Sequence, residues 1–234
     1  DLLISTLVCV AASSTLAFIV PGGEPLVFSV PSGNFGDMMG GVIAMHMGLP
    51  IRRFIIATNS NDEVPRFVAT GQYEKIVPSR VCISNAMNVG HPSNIPRLVS
   101  LYGGSMDEKG KITAPPDMEA IRRDMFAVSI NDWNTERTIH DAWMSYGLLL
   151  EPHGAVGWAG LLRYFERFPE KTDTPAISLE TAHPAKFPDQ IRELTGVEPP
   201  LPPSLEGWPV KVTHDLDEVV GEVDICYLLR MQLE

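Results

Sequence analysis

Twenty residues near the amino end constrain this chain more than any other stretch. An apolar run, Leu26-Val27-Phe28-Ser29-Val30, stops at Pro31 and crosses Ser32-Gly33-Asn34-Phe35-Gly36-Asp37. It then opens onto Met38-Met39-Gly40-Gly41-Val42-Ile43-Ala44-Met45. That order predicts a buried strand, a tight glycine loop and a helix start. Gly33 and Gly36 let backbone amides converge, because no side chain blocks the approach. The first N–H groups of a helix lack internal partners, and the positive end of the helix dipole lies behind them. Such a turn can seat an anion, most often a phosphate; an ordinary tight connection with glycines for packing fits the local pattern equally well. The spacing matches neither Gly-x-x-x-x-Gly-Lys nor Gly-x-Gly-x-x-Gly, so the common nucleotide fingerprints do not apply.

The residues that follow support a parallel α/β organisation. A helix over about Asp37–Met47 ends at Gly48, and Arg53-Phe54-Ile55-Ile56-Ala57 reads as the next strand. Strand, helix and strand at this length form a βαβ unit with parallel strands. Thr58-Asn59-Ser60-Asn61-Asp62 falls at the carboxyl end of the second strand, where ligands bind in open α/β sheets. The simpler expectation for it is a cap on a helix over Val64–Thr70, closed by Gly71.

Further along, His91 reads as a loop histidine, and Ser93 or Asn94 caps a helix to about Tyr102 with Pro96 in its first turn. Residues 103–116 are expected to form a surface connection. A helix over Asp117–Met125 and a strand over Phe126–Ile130 follow. Asn134 is expected to cap a helix whose Ile139, Trp143 and Tyr146 form a buried face. Glu151-Pro152-His153 precedes a helix over about Gly154–Phe168, with Val156, Leu161 and Phe165 inward. At the positive end of that helix His153 is expected to be neutral and hydrogen-bonded. Ala176-Ile177-Ser178-Leu179 is the last strand expected.

Composition narrows the partners. A net charge of −11 argues against nucleic acid or an anionic membrane. An anionic ligand must therefore be held by local dipoles and a few arginines. Three dispersed cysteines and six histidines without ligand spacing point to no disulfide framework and no metal site, in a reducing, cytoplasmic compartment. Leu2–Val20 is apolar, but its hydroxyl residues and lack of a basic flank favour a buried helix over a membrane span.

Several stretches together resemble one enzyme family. Ser29-Val30-Pro31-Ser32-Gly33-Asn34-Phe35-Gly36-Asp37, Gly48-Leu49-Pro50 and Ala57-Thr58-Asn59-Ser60-Asn61-Asp62 are similar to threonine synthase motifs. So are Ser93-Asn94, Glu151-Pro152-His153-Gly154-Ala155-Val156 and Thr181-Ala182-His183-Pro184-Ala185-Lys186-Phe187, all in the family's order. The resemblance runs from about Leu26 to Gly196. It implies a pyridoxal 5′-phosphate (PLP) enzyme of fold type II, tryptophan-synthase-beta-like: α/β, a layered and mostly parallel sheet with helices on both faces. It further implies that Ser32, Gly33, Asn34, Phe35 and Gly36 cup the cofactor phosphate, and that Thr181 faces the pyridine nitrogen. A neutral hydroxyl there leaves the nitrogen unprotonated, which suits elimination and replacement chemistry.

The same resemblance places the family's cofactor lysine in a segment before the glycine loop. None of Lys75, Lys109, Lys111, Lys171, Lys186 and Lys211 lies in that motif. The chain is therefore expected to be a carboxyl-terminal part of such an enzyme and inactive alone, with no catalytic residue assigned. Residues 1–196 would form the α/β part and 197–234 a proline-rich arm and tail. The expected parent reaction converts O-phosphohomoserine and water to threonine and phosphate. Two other outcomes stay open: a phospho-lyase on a related phosphorylated amino acid, and a non-catalytic remnant that binds an anion or a partner chain.

Overall fold

A computed structural model describes residues 24–202. The helix expected over Leu2–Val20 and the tail beyond Pro202 lie outside those residues. Strand β1 (Leu26–Pro31) leads through the glycine loop into helix α1 (Gly36–His46), and β2 (Ile51–Thr58) follows. Helices α2 (Glu63–Thr70) and α3 (Ile95–Leu101) come next. A hairpin, β3 (Ser105–Met106) with β4 (Ile112–Ala114), precedes α4 (Met118–Asp124) and β5 (Met125–Ser129). Two long helices, α5 (Asp132–Tyr146) and α6 (Pro152–Arg167), lead to β6 (Ala176–Ser178) and the last helix α7 (Pro188–Thr195).

Four strands form one parallel sheet in the order β5-β2-β1-β6. Alternation along β1 and β2 decides its two faces. Phe28, Val30, Phe54 and Ile56 point toward Met38, Met39, Val42, Phe67 and Leu98 of α1, α2 and α3. Val27 and Ile55 point the other way, onto Leu161 and Tyr164 of α6. Both faces are covered, so the strands read as continuous apolar runs. Phe28, Phe54 and Ile56 are fully buried, and each contributes about 1.5–3 kcal/mol by leaving water. The layered α/β fold expected from sequence is present.

Some local expectations are corrected. Residues 103–116 carry the small antiparallel hairpin β3–β4 rather than a bare connection. Asn131, not Asn134, caps α5, its side chain accepting the Asn134 N–H at 3.0 Å. On that helix Ile139 is buried, but Tyr146 is 73% exposed, so the expected aromatic core face does not exist. On α6 Tyr164 is buried deeper than Phe165. Among the described residues no helix is long and apolar enough to cross a membrane.

Candidate functional site

The site lies past the carboxyl ends of β1, β2 and β6. Leaving β1, Ser32 is buried; its N–H donates to Ala57 O at 2.8 Å and its hydroxyl to Val30 O at 2.8 Å. Both donors point back into the sheet, so Ser32 anchors the loop from beneath. Phe35 takes a left-handed conformation, φ 65°, and is the residue at which α1 begins. Its ring is 2% exposed, and that burial offsets the strain of a bulky side chain at positive φ. The N–H groups of Gly33, Asn34, Phe35 and Gly36 have no acceptor among the described residues. Four consecutive free donors at a helix N-terminus make an anion-binding concavity.

A second segment walls this cup. A short turn, Asn85–Met87, runs so close to Gly33 that a β-carbon there would lie 3.0 Å from Met87 Cα and 3.1 Å from Ala86 O. Both contacts are backbone of one turn, so a side chain at Gly33 would fit only if that turn moved back by a few tenths of an ångström. Asn59 at the end of β2 holds the turn in place. Its side-chain amide donates to Ser84 Oγ at 3.2 Å and to Asn88 Oδ1 at 2.9 Å. Its Oδ1 accepts from Asn61 N and Asn61 Nδ2. Thr58–Asp62 was expected to cap α2, yet Asp62 makes no side-chain capping bond there. The asparagines face inward and tie β2 to the cup wall instead. On the other side, Asn94 Nδ2 donates to Asn34 O at 2.7 Å, and Arg97 bonds Asn94 Oδ1. One cation thus stands a residue removed from the loop.

The N-terminus of α6 meets the same wall. Glu151 is fully buried and caps the helix, accepting from Gly154 N at 2.7 Å and His153 N at 2.9 Å. His153 Nδ1 lies 2.5 Å from Glu151 Oε2, and His153 Nε2 lies 3.1 Å from Ala86 N. Because an amide N–H only donates, Nε2 must be the bare nitrogen and Nδ1 carries the proton. Burial would raise the Glu151 carboxyl, but hydrogen bonds from the His153 ring, the His153 amide and the Gly154 amide outweigh it and hold the group below its usual range. Glu180, just past β6, is pushed up to about 8, first by burial and then by the negative charge of Glu151. Thr181 follows and is exposed. Ser178 pairs with Ser29 across parallel strands, so Thr181 and Ser32 each stand three residues beyond that rung, on neighbouring strands.

Residues 154–214 match the family model described as "Threonine synthase, C-terminal". Threonine synthase from Haemophilus influenzae is 36% identical over 186 residues, covering 78% of this chain and 38% of that protein. The crystal structure of PLP-bound threonine synthase from Brucella melitensis superposes with a TM-score of 0.73 at 32% identity, over 87% of this chain and 45% of that one. Over these residues the chain is similar to threonine synthases. Yeast threonine synthase, at 25% identity, covers 93% of this chain with a TM-score of 0.72. The chain spans less than half the length of these threonine synthases, and the matched length corresponds to a carboxyl-terminal part of the family.

Within that threonine synthase frame, three contributors escaped the sequence reading. The Asn85–Met87 wall lies more than fifty residues from Gly33, and nothing local announces the contact. Asn59 and Asn61 stand out in the sequence as a polar cluster, but helix capping accounts for the same residues, and only the fold brings Asn59 to Ser84 and Asn88. Glu180 lies one residue ahead of the Thr181 motif, and only the folded helix N-terminus shows what it touches.

Proposed function

We propose that this chain forms the phosphate-binding side of a PLP-dependent threonine synthase, which converts O-phosphohomoserine and water to threonine and phosphate. The observation that carries the reading is the run of four free N–H groups at Gly33–Gly36, at the carboxyl edge of a parallel sheet. A phosphate needs several convergent donors and tolerates no intruding side chain, and the Gly33 approach to Met87 meets that demand. Gly33, Asn34, Phe35 and Gly36 supply amides, and Ser32 anchors them. Thr181 offers its hydroxyl to the pyridine nitrogen and keeps that nitrogen uncharged. Bound PLP supplies the electron sink for chemistry at the β and γ carbons of an amino acid. The lysine that holds the cofactor covalently and moves protons is not among the six in these 234 residues, so activity requires the rest of the protein.

The test is product analysis on the full-length enzyme with O-phosphohomoserine. Threonine and phosphate in equal amounts is the expected result. Phosphate released with a keto acid or an unsaturated amino acid instead of threonine overturns the assignment. The 234-residue chain alone, treated with PLP and borohydride, should show only scattered trace labelling of its lysines.

A further inference from the structure

We propose that Glu151 and His153 are positioning residues for the phosphate cup, acting through the Ala86 amide on the wall that faces Gly33. The inference rests on the PLP reading above and extends it to two residues outside the cup. The chain of contacts is continuous. Glu151 is fully buried and fixed by two helix N–H groups; its Oε2 holds the proton-bearing Nδ1 of His153. The opposite ring nitrogen then has no proton and accepts the Ala86 N–H at 3.1 Å. Ala86 O and Met87 Cα are the atoms nearest to where a Gly33 side chain would be. The position of that turn relative to Gly33 sets how far the cup is closed.

A merely satisfied core histidine would explain the burial and the Glu151 bond. It would not explain why the second nitrogen is spent on a loop amide fixed in turn by Ser84, Asn59 and Asn88. The turn is held from two independent elements, α6 through His153 and β2 through Asn59. His153 holds the turn at Ala86, and Asn59 holds it at its two ends, Ser84 and Asn88. Besides capping α6, the carboxylate selects the tautomer, since without it the two ring nitrogens are nearly equivalent.

Phosphate-specific affinity separates this role from a structural one. For the full-length enzyme, dissociation constants are measured for pyridoxine 5′-phosphate and for pyridoxine, which lacks the phosphate and cannot bond a lysine covalently. Wild type should favour the phosphate ester. His153→Leu should lower that preference roughly tenfold, the scale of one displaced hydrogen-bonded wall. His153→Gln, whose carbonyl oxygen reaches about as far as Nε2, should restore it to within about threefold. An unchanged preference in a folded His153→Leu protein overturns the positioning role. If that variant does not fold, the ¹⁵N shifts of His153 in the wild type decide: a protonated Nε2 contradicts the contact with Ala86, and an unprotonated Nε2, with the preference kept in His153→Gln and lost in the shorter His153→Asn, upholds it. A wild type with no preference for the phosphate ester refutes the cup itself, and this inference with it.

Discussion

The Glu180 carboxyl occupies the space above Gly154, so that a β-carbon built on that glycine would lie 2.0 Å from Glu180 Oε2 and 2.3 Å from its Cδ. The backbone N–H of Glu151 also reaches Glu180 Oε1 at 3.4 Å. The segment leaving β6 is thus docked on the N-terminus of α6, one residue ahead of Thr181. Gly154→Ala should expel the Glu180 head while improving helix propensity. Because the displaced atoms end a flexible side chain, the melting temperature should move little, by the equivalent of about 1 kcal/mol or less. Affinity for pyridoxine should fall, since Thr181 loses its anchor. A variant with both quantities unchanged would show that Glu180 positions nothing.

Buried Glu63 gives one component of the pH dependence a definite sign. Glu63, 1% exposed and with Oε2 unpartnered, is pushed from 4.5 to about 7, chiefly by burial. Glu180 is raised as well, but its side chain is exposed to solvent, which screens its contribution. A carboxyl raised in the folded state binds more protons folded than unfolded, so the Glu63 contribution to stability falls as pH rises from about 4.5 to 7. Glu63→Gln should remove part of that slope and stabilise the protein at pH 8 by roughly 1–3 kcal/mol. Urea denaturation at pH 5 and pH 8 checks it: an equal gain at both values contradicts the assignment.

The central strands, α1 and the parallel order were legible because each depends on neighbours in sequence: a buried run, a glycine loop, an apolar helix. The hairpin β3–β4 was not, since strands of two and three residues are too short to show a period. Asn131 and Asn134 offer the same cap chemistry three residues apart, and only helix geometry chooses between them. Trp143 and Tyr146 sit at helical spacing from Ile139, but α5 has a single covered stripe and Tyr146 falls beyond it. At the site, the loop itself was visible and its surroundings were not. The wall at Ala86–Met87, the Asn59 network and the Glu180 dock all depend on contacts distant in sequence.

Asn59 is the joint of the cup wall. Asn59→Ala removes bonds to Ser84, Asn61 and Asn88 and leaves buried partners unsatisfied. The expected loss is about 2–3 kcal/mol in chemical denaturation. Amide exchange should accelerate over residues 84–88 first. Uniform acceleration across the protein would show that the network serves the whole fold and not the wall.

Thr181→Val keeps the volume and deletes the hydroxyl. Loss of one hydrogen bond to the ring should weaken pyridoxine binding by about 1 kcal/mol, roughly fivefold. The phosphate preference should stay as in wild type, because the cup is untouched. A fall in that preference with ring affinity intact would assign Thr181 to the phosphate side.

The most direct measurement is the amide spectrum of this chain during titration with pyridoxine 5′-phosphate. The account predicts that the Gly33, Asn34, Phe35 and Gly36 N–H resonances move farthest, downfield, and that Gly33→Asp abolishes the movement. Those four resonances standing still while others shift would contradict the phosphate cup.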